Sequence, residues 1–185
     1  MSVTFFSGEF SMSALVAISI TTAILSGIWG WVAVSFGLLA WAGFLGCTSF
    51  FAAPQEGVKG LLISLITNLS GVFWAMVILT LSDYISLEII GYVLTGVVTL
   101  FMCLQAKQTW LAYIPGTFIG SCATFASNGD WQLVIPSLML GGLFGFCMKW
   151  SGLWLKERCE PKASEPTAPE LSRLEESQLD TGKTR

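Results

Sequence analysis

Residues 12–53 read MSALVAISITTAILSGIWGWVAVSFGLLAWAGFLGCTSFFAA, a stretch of 42 residues that contains no Asp, Glu, Lys or Arg. A helix that crosses a bilayer needs about 20 mostly apolar residues, because the hydrocarbon core is about 30 Å thick. This stretch is therefore long enough for two transmembrane helices, and we place the break between them near residues 34–36. The first two predicted spans are 12–33 and 36–53.

The chain continues in the same way to residue 155, and its pattern predicts four more spans. Short polar segments separate them: PQEGVKG at 54–60, SDY at 82–84, AKQ at 106–108 and NGD at 128–130. Segments rich in Gly, Pro, Asn and Asp are typical of turns. The four further spans are predicted at 61–81, 85–105, 110–127 and 132–155.

The expected fold class is therefore an all-α membrane protein of six transmembrane helices. Residues 1–11 form a short N-terminal segment, and residues 12–155 form the six-helix membrane domain. Residues 156–185 hold six of the nine basic and seven of the twelve acidic residues, together with three Pro. A segment of this composition does not bury a core, so we expect a disordered cytoplasmic tail.

The composition argues against an enzyme and against a metal protein. Apolar residues make up 54% of the chain and charged residues only 11%, against about a quarter charged in soluble domains. There is no His, the commonest general base and metal ligand, and the five Cys form no C-x-x-C pair. No basic stripe with aromatic residues indicates nucleic-acid binding. We therefore expect no catalytic residue, no metal, no cofactor and no nucleic-acid partner.

The basic residues predict the orientation in the membrane. With six spans, all nine Lys and Arg fall on one side, which carries Lys59, Lys107, Lys149 and the tail. The other side carries Asp83 and Asp130 instead. Because loops on the cytoplasmic side have an excess of Lys and Arg, both termini are expected in the cytoplasm.

A shift of 74 residues brings two similar segments together. Residues 44–53 (FLGCTSFFAA) then lie over residues 118–127 (FIGSCATFAS), with Gly46 over Gly120. Because each unit holds three predicted helices, the two units would lie in opposite orientations, as in the inverted repeats of many transporters and channels. Small and aromatic apolar strings also match by chance, so both interpretations stay open.

Four neutral polar residues are candidates for a pore or substrate path: Asn68, Thr67, Thr48 and Ser121. Asn68 falls near the middle of the third span, where its amide needs a protein partner or a wet cavity. Thr48 and Ser121 lie in the two segments that resemble each other. Hydroxyl and amide groups suit a path for a small, mostly uncharged solute. The alternative is that they bond neighbouring helices or their own preceding carbonyl groups.

Closely spaced glycines predict close contact between helices. The residues concerned are Gly43, Gly46, Gly116, Gly120, Gly141 and Gly145. Where side chains are absent, two helix backbones approach closely in the bilayer, and packing then drives their association. We expect the contact within one chain or between the subunits of a homo-oligomer. The alternative is a pore constriction lined by glycine.

Several longer strings resemble those of a known family. They are LSGIWGWVAV at 25–34, WAGFLGCT at 41–48, PGTFIG at 115–120 and SGLWL at 151–155. These strings closely resemble the YcdZ-like family of small bacterial inner-membrane proteins, a domain of unknown function, and the resemblance covers about residues 12–155. It implies the bacterial inner membrane and assigns no catalytic or ligand residue.

Two functions stay open from the sequence. The first is a channel or permease that passes a small, mostly uncharged solute through the lipid bilayer. The second is a membrane scaffold or accessory protein that recruits a partner through its cytoplasmic tail. Many compact six-helix proteins with internal symmetry are permeases, and this analogy favours the first hypothesis.

Overall fold

The structure is a computed structural model that describes residues 14–84 and 88–159. The regular elements in these two ranges are all helical, which confirms the all-α class. They are α1 (Ala14–Ser35), α2 (Ala40–Phe51), α3 (Gly57–Tyr84), α4 (Glu88–Leu104), a 3-10 turn at Gln105–Lys107, α5 (Ile114–Ala126) and α6 (Trp131–Cys159). The predicted N-terminal segment and most of the predicted tail lie outside the described residues, although residues 156–159 belong to α6.

The six helices differ in length. In the described part of the chain, α1, α3 and α6 are long and apolar enough to cross a membrane. The helix α2 has 12 residues and α5 has 13, so each is about 18–20 Å long at 1.5 Å per residue, well short of the hydrocarbon thickness. The all-α membrane class therefore fits, whereas the number of six spans stays a prediction.

Two of the predicted breaks are found close to where the sequence places them. The helix α1 ends in a Schellman motif, in which Gly37 adopts a positive φ of 64° and the Leu38 amide donates to the Ala33 carbonyl oxygen at 2.8 Å. The predicted NGD turn is also present, because Asn128 and Gly129 have φ values of 54° and 84°.

Two other predicted boundaries are wrong. Residues 82–84 form the last turn of α3 rather than a loop, and residues 57–60 form its first turn rather than part of the polar break. A polar residue marks the edge of the hydrocarbon layer, but a helix continues beyond that edge wherever its backbone hydrogen bonds are kept. The helix α3 is therefore 28 residues long, several more than the layer requires.

The helix α1 runs antiparallel to α6. A Cβ atom at Gly152 would contact Ile18 near the start of α1. Further along, the Thr21 hydroxyl donates to the Met148 carbonyl oxygen at 3.0 Å, and the Leu39 amide that follows α1 donates to the Ser137 hydroxyl at 3.0 Å. The start of α1 and the end of α6 therefore lie at the same end of the molecule.

The two short helices run in opposite directions. The helix α2 is parallel to α6, because Gly43 lies against Gly141 and Cys47 against Gly145. The helix α5 is parallel to α3, since Gly116 lies against Thr67 and Ser121 against Gly71. The long helices α3 and α6 are antiparallel to each other: early α3 packs on the middle of α6, and Val72, further along, packs on Val134 and Leu138.

The charges are distributed between the two ends of the molecule. At one end, which we call the basic end, the Lys149 ammonium lies 3.0 Å from a Glu56 carboxylate oxygen. Residues 109–110 line a groove there together with Gln55 and Lys59. At the opposite end, Gly129 lies close to Leu79, in the last turns of α3. The Lys residues and the Asp residues, which the sequence assigns to opposite sides of the membrane, therefore lie at opposite ends of the molecule.

All six glycines predicted to mediate helix packing lie at contacts. A Cβ atom at Gly46 would overlap the Leu138 carbonyl oxygen, and one at Gly120 would overlap the Asn68 carbonyl oxygen. The others face equally close neighbours: Gly43 the Trp29 ring, Gly116 Thr67 and Tyr113, Gly141 the Gly43 carbonyl group, and Gly145 Cys47. The backbones of α2 and α5 therefore approach α6 and α3 with no side chain between them.

We expect Gly120→Ala to destabilise the protein by about 1–3 kcal/mol, because the added methyl group forces α5 away from α3. Thermal unfolding in detergent micelles measures the effect. The control is Gly96→Ala in α4, where a Cβ atom meets nothing within 4 Å and where Ala is the better helix former. Equal unfolding midpoints for the two variants would contradict the close packing of α5 on α3.

Candidate functional site

A cluster of neutral polar side chains is buried where α2, α3 and α5 meet. It comprises Ser49, Ser64, Thr67, Asn68, Thr117, Ser121 and Thr124, each of which is at most 5% exposed. We call these seven residues the polar cluster. Polar side chains within a membrane segment face the protein interior, since lipid offers them no hydrogen-bond partner. The cluster is therefore the part of the described chain in which a polar solute would find complementary groups.

Helical spacing places these residues on inward-facing surfaces. On α3, Ser64, Thr67 and Asn68 follow one another at three- and four-residue steps, in line with the buried Gly60 and Gly71. On α5, Thr117, Ser121 and Thr124 repeat the pattern. The α2 member, Ser49, faces α3, where its hydroxyl contacts Ser64 and Asn68.

A chain of hydrogen bonds leads to Asn68. The Ser64 hydroxyl donates to Ser49 Oγ at 3.0 Å, and the Ser49 hydroxyl donates to Asn68 Oδ1 at 2.9 Å. The Tyr113 hydroxyl, just before α5, donates to the Ser49 carbonyl oxygen at 3.1 Å. The amide oxygen of Asn68 is thus held in place by residues from two neighbouring segments.

The amide nitrogen of Asn68 is buried and has no hydrogen-bond partner among residues 14–84 and 88–159. The residue is 1% exposed, and its NH₂ group carries two donors. Leaving a buried donor unpaired costs about 1–3 kcal/mol. A buried donor that stays unpaired at such a cost to stability is typical of a site where a bound ligand or water supplies the missing acceptor.

A second network connects α4 to the polar cluster. The Gln105 amide oxygen, at the end of α4, accepts hydrogen bonds from the Ser70 hydroxyl at 2.8 Å and from Trp74 Nε1 at 2.9 Å. Its amide nitrogen donates to Thr117 Oγ1 at 3.2 Å. One side chain therefore bonds α3 and α5 at the same time, and it fixes the position where α4 passes into a 3-10 turn.

The structure brings together three of the four residues predicted to line a path. Asn68, Thr67 and Ser121 all belong to the polar cluster. The Thr67 hydroxyl donates to the Ile63 carbonyl oxygen of its own helix at 2.7 Å, and the Ser121 hydroxyl donates to the Gly71 carbonyl oxygen of α3 at 2.9 Å.

The fourth predicted residue, Thr48, is not part of the cluster. It lies on the exposed face of α2, where its hydroxyl donates to the Phe44 carbonyl oxygen at 2.9 Å. Its neighbour Ser49 faces Asn68 instead. Sequence reasoning chose Thr48 over its neighbour Ser49, and it missed Tyr113 and Gln105.

Residues that lie 74 positions apart in the sequence make corresponding contacts between helices, but the two contacts differ in polarity. Gly46 of α2 lies against Leu138 and Gly142 of α6, and Gly120 of α5 lies against Asn68 of α3, the residue that the shift of 74 relates to Gly142. The numbering shift relates Leu138 to Ser64, Gly142 to Asn68, and Ala123 to Ser49. The α3–α5 contact is therefore polar where the α2–α6 contact is apolar.

Two cavities lie at the basic end and leave Asn68 outside their linings. One, of about 370 Å³, is lined by Phe50, Glu56, Gly57, Phe146, Lys149, Trp150 and Leu153. The other, of about 670 Å³, is a groove lined by Gln55, Val58, Lys59, Leu62, Ile63, Ile66, Thr109 and Trp110. Within residues 14–84 and 88–159, no group of three or more His, Cys, Asp or Glu could hold a metal ion.

Comparison with known proteins identifies related sequences. The family model described as "Protein of unknown function (DUF1097)" matches residues 19–153. The chain is 66% identical over 148 residues to inner membrane protein YcdZ of Escherichia coli strain K12, covering 80% of this chain and 91% of that protein. Inner membrane protein YcdZ of Salmonella typhimurium strain LT2 is 64% identical over 150 residues, which cover 80% of this chain and 94% of that protein.

A more distant relative is uncharacterized protein YahC of Escherichia coli strain K12. It is 30% identical over 158 residues, which cover 79% of this chain and 95% of that protein. No solved structure matches the chain.

We expect Gln105→Leu to lower the thermal unfolding midpoint, because it removes three hydrogen bonds and leaves Trp74 Nε1 without its acceptor. The expected loss is about 1–3 kcal/mol. Gln108→Leu is the matched control, since Gln108 is exposed and its backbone amide makes the hydrogen bond of the turn. The role of Gln105 as a connector is wrong if both variants shift the midpoint equally.

Proposed function

Because the chain belongs to the DUF1097 family of proteins of unknown function, we propose its function from its own geometry: it is a channel or permease for a small, mostly uncharged solute. Its resemblance to the YcdZ-like family is confirmed. The names of those relatives and the apolar helices support an integral protein of the bacterial inner membrane.

The observation that carries the proposal is the unpaired amide nitrogen of Asn68. A solute with a carbonyl or hydroxyl oxygen accepts the hydrogen bond that the protein leaves unmade. The surrounding groups of the polar cluster are hydroxyls and backbone carbonyls, which exchange hydrogen bonds with a passing solute without holding it tightly. Because all seven cluster residues are neutral, the site suits an uncharged solute better than an ion.

The depth of Asn68 supports the same proposal. It is the twelfth residue of the 28-residue helix α3, which places it near the middle of the helix. Substrate sites of transporters built from inverted repeats lie near the bilayer midplane, where two halves meet. We infer such a repeat here, with α1–α3 as one unit and α4–α6 as the other, since α2 and α5 run in opposite directions and residues 74 apart make matching contacts.

The two contacts that join the proposed units differ in polarity, and this difference supports a path along one of the contacts only. The α3–α5 contact holds Asn68 and Ser121, whereas the α2–α6 contact holds Leu138 and Gly142. A solute would therefore move along α3 and α5 and not along α2 and α6. Asn68 lines neither of the two cavities described above, and we propose that passage involves an opening of the cluster.

A second copy of the chain is part of the proposal. In α1, Cβ atoms at Gly27 and Gly30 would meet nothing within 4 Å. Glycines let helix backbones approach in the bilayer, and this face of α1 offers a surface for a homo-oligomer.

We further propose that the basic end faces the cytoplasm, since the cytoplasmic loops of membrane proteins are enriched in Lys and Arg. In a chain with its own Cys replaced, a single Gln108→Cys at the basic end should react with an impermeant maleimide only in inverted vesicles. Asp83→Cys, at the end of α3, should react only in intact spheroplasts. The reverse pattern would contradict the orientation.

The transport proposal is tested by stopped-flow light scattering on proteoliposomes with glycerol, urea, ammonia and short-chain aldehydes. We expect one solute to enter faster than in empty vesicles, and Asn68→Leu to slow it about tenfold, as loss of one buried hydrogen bond does. Ser49→Ala, which removes the donor to Asn68 Oδ1, should slow it as well.

Two controls accompany this measurement. Thr48→Val alters a hydroxyl one residue from Ser49 on the exposed face and should leave the rate unchanged. A chain ending at residue 159 should also keep its rate, whereas a scaffold that acts through its tail would lose its partner. Rates equal to those of empty vesicles for every solute, with the protein folded and incorporated, would refute the channel.

A further inference from the structure

The groove of about 670 Å³ at the basic end has an apolar wall and a polar end. Val58, Leu62 and Ile66 form the wall along α3 at four-residue steps, so they lie on one stripe of the helix. Trp110, in the segment between α4 and α5, lines the groove as well. Val58 is 62%, Leu62 52% and Trp110 68% exposed, so the groove opens on the outer surface of the molecule.

The polar end of the groove combines a cation with an unpaired acceptor. Lys59 lies in the first turn of α3, where free backbone N–H groups add to its positive charge and favour an anion. The ion pair at this end joins Lys149 to Glu56, and Lys59 is not part of it. Gln55, which also lines the groove, has a buried side-chain oxygen without a hydrogen-bond partner among the described residues.

The surroundings decide which kind of molecule fits this groove. On the outer surface of a membrane helix, an apolar stripe contacts acyl chains. An exposed Trp next to a Lys is typical of the level of the lipid head groups. A phosphate complements Lys59 and the start of α3, and a head-group hydroxyl complements the unpaired oxygen of Gln55 after this part-buried side chain turns its shielded oxygen into the groove. A phospholipid with an anionic, hydroxyl-bearing head group supplies all three.

We propose that this groove at the basic end is a binding site for an anionic phospholipid such as phosphatidylglycerol. The phosphate lies at Lys59, the glycerol head group at Gln55, and one acyl chain along Val58, Leu62 and Ile66. The site goes beyond the proposed transport and does not depend on it.

The first test measures the thermal unfolding midpoint of the purified, delipidated full chain in mild detergent. Phosphatidylglycerol, phosphatidylcholine with the same acyl chains, and inorganic phosphate are added in turn. A ligand that binds only the folded state raises the midpoint, and the stabilisation grows with the logarithm of the ligand concentration relative to its dissociation constant. We expect phosphatidylglycerol to raise it most, phosphatidylcholine less, and phosphate not at all.

Two pairs of variants locate the site. Lys59→Gln should bind phosphatidylglycerol about fivefold more weakly, the effect of one basic residue at a membrane surface. Lys107→Gln removes the same charge at the same end but outside the groove lining, and should bind normally. Ile66→Trp fills the groove and should abolish the effect of the lipid, whereas Leu81→Trp, at the far end of α3, should not. Each midpoint is compared with that of the same variant without lipid.

Several outcomes would overturn the proposal. Equal effects of the two lipids would show detergent-like solvation and no head-group recognition. Equal losses in Lys59→Gln and Lys107→Gln would show a general attraction of the basic end for anionic lipid. Stabilisation by phosphate alone would show an ion site, and unaltered lipid binding by Ile66→Trp would show that the acyl chain lies elsewhere.

Discussion

At Gly46 and at Gly120, two helix backbones approach so closely that no side chain fits between them. This approach explains how α2 and α5, each shorter than the hydrocarbon layer, are held within a membrane protein. In lipid there is little hydrophobic drive for one helix to join another, so van der Waals contact between backbones has to supply the association. The long helices α3 and α6 provide the surfaces, and the short helices lie along them. The positions of the polar cluster and of the groove follow from this packing.

The two close helix contacts differ in chemistry. Where α5 lies on α3, the contact contains Asn68, whose oxygen is bonded and whose nitrogen is not. Where α2 lies on α6, the Trp29 ring covers Gly43 and lies 5.4 Å from the ring of Phe144, and its indole nitrogen donates to the Ala40 carbonyl oxygen at 2.9 Å. One contact is thus filled by a large apolar ring with its polar atom satisfied. The other contains the amide nitrogen of Asn68, which has no partner among the described residues. This difference is the reason that the functional hypothesis concerns α3 and α5.

The order of the helices was predictable from the lengths of the apolar runs, and the residues of the site were predictable only in part. Asn68 stands out because an amide in the middle of an apolar run needs a partner. Thr48 and Ser49 are equally polar neighbours, and only a rotation of about 100° per residue decides which of them faces α3. Gln105 could not be found in this way, because its partners are 12–35 residues away in the chain. The ends of α3 were missed because hydropathy reports the edge of the lipid layer, whereas hydrogen bonding decides where a helix ends.

The pairing of α2 with α6 has a consequence for biosynthesis. The second helix emerges from the ribosome about 90 residues before the helix on which Gly43 and Gly46 pack. Until then Gly46 has no helix backbone to lie against, although Trp29 of α1 can already cover Gly43, and the segment is too short to span the bilayer by its own length. Its final position has to wait for α6, so the packing of the described helices is completed only when α2 joins α6. A nascent chain interrupted before residue 131 would therefore present an unfinished membrane domain to the quality-control proteases of the cell.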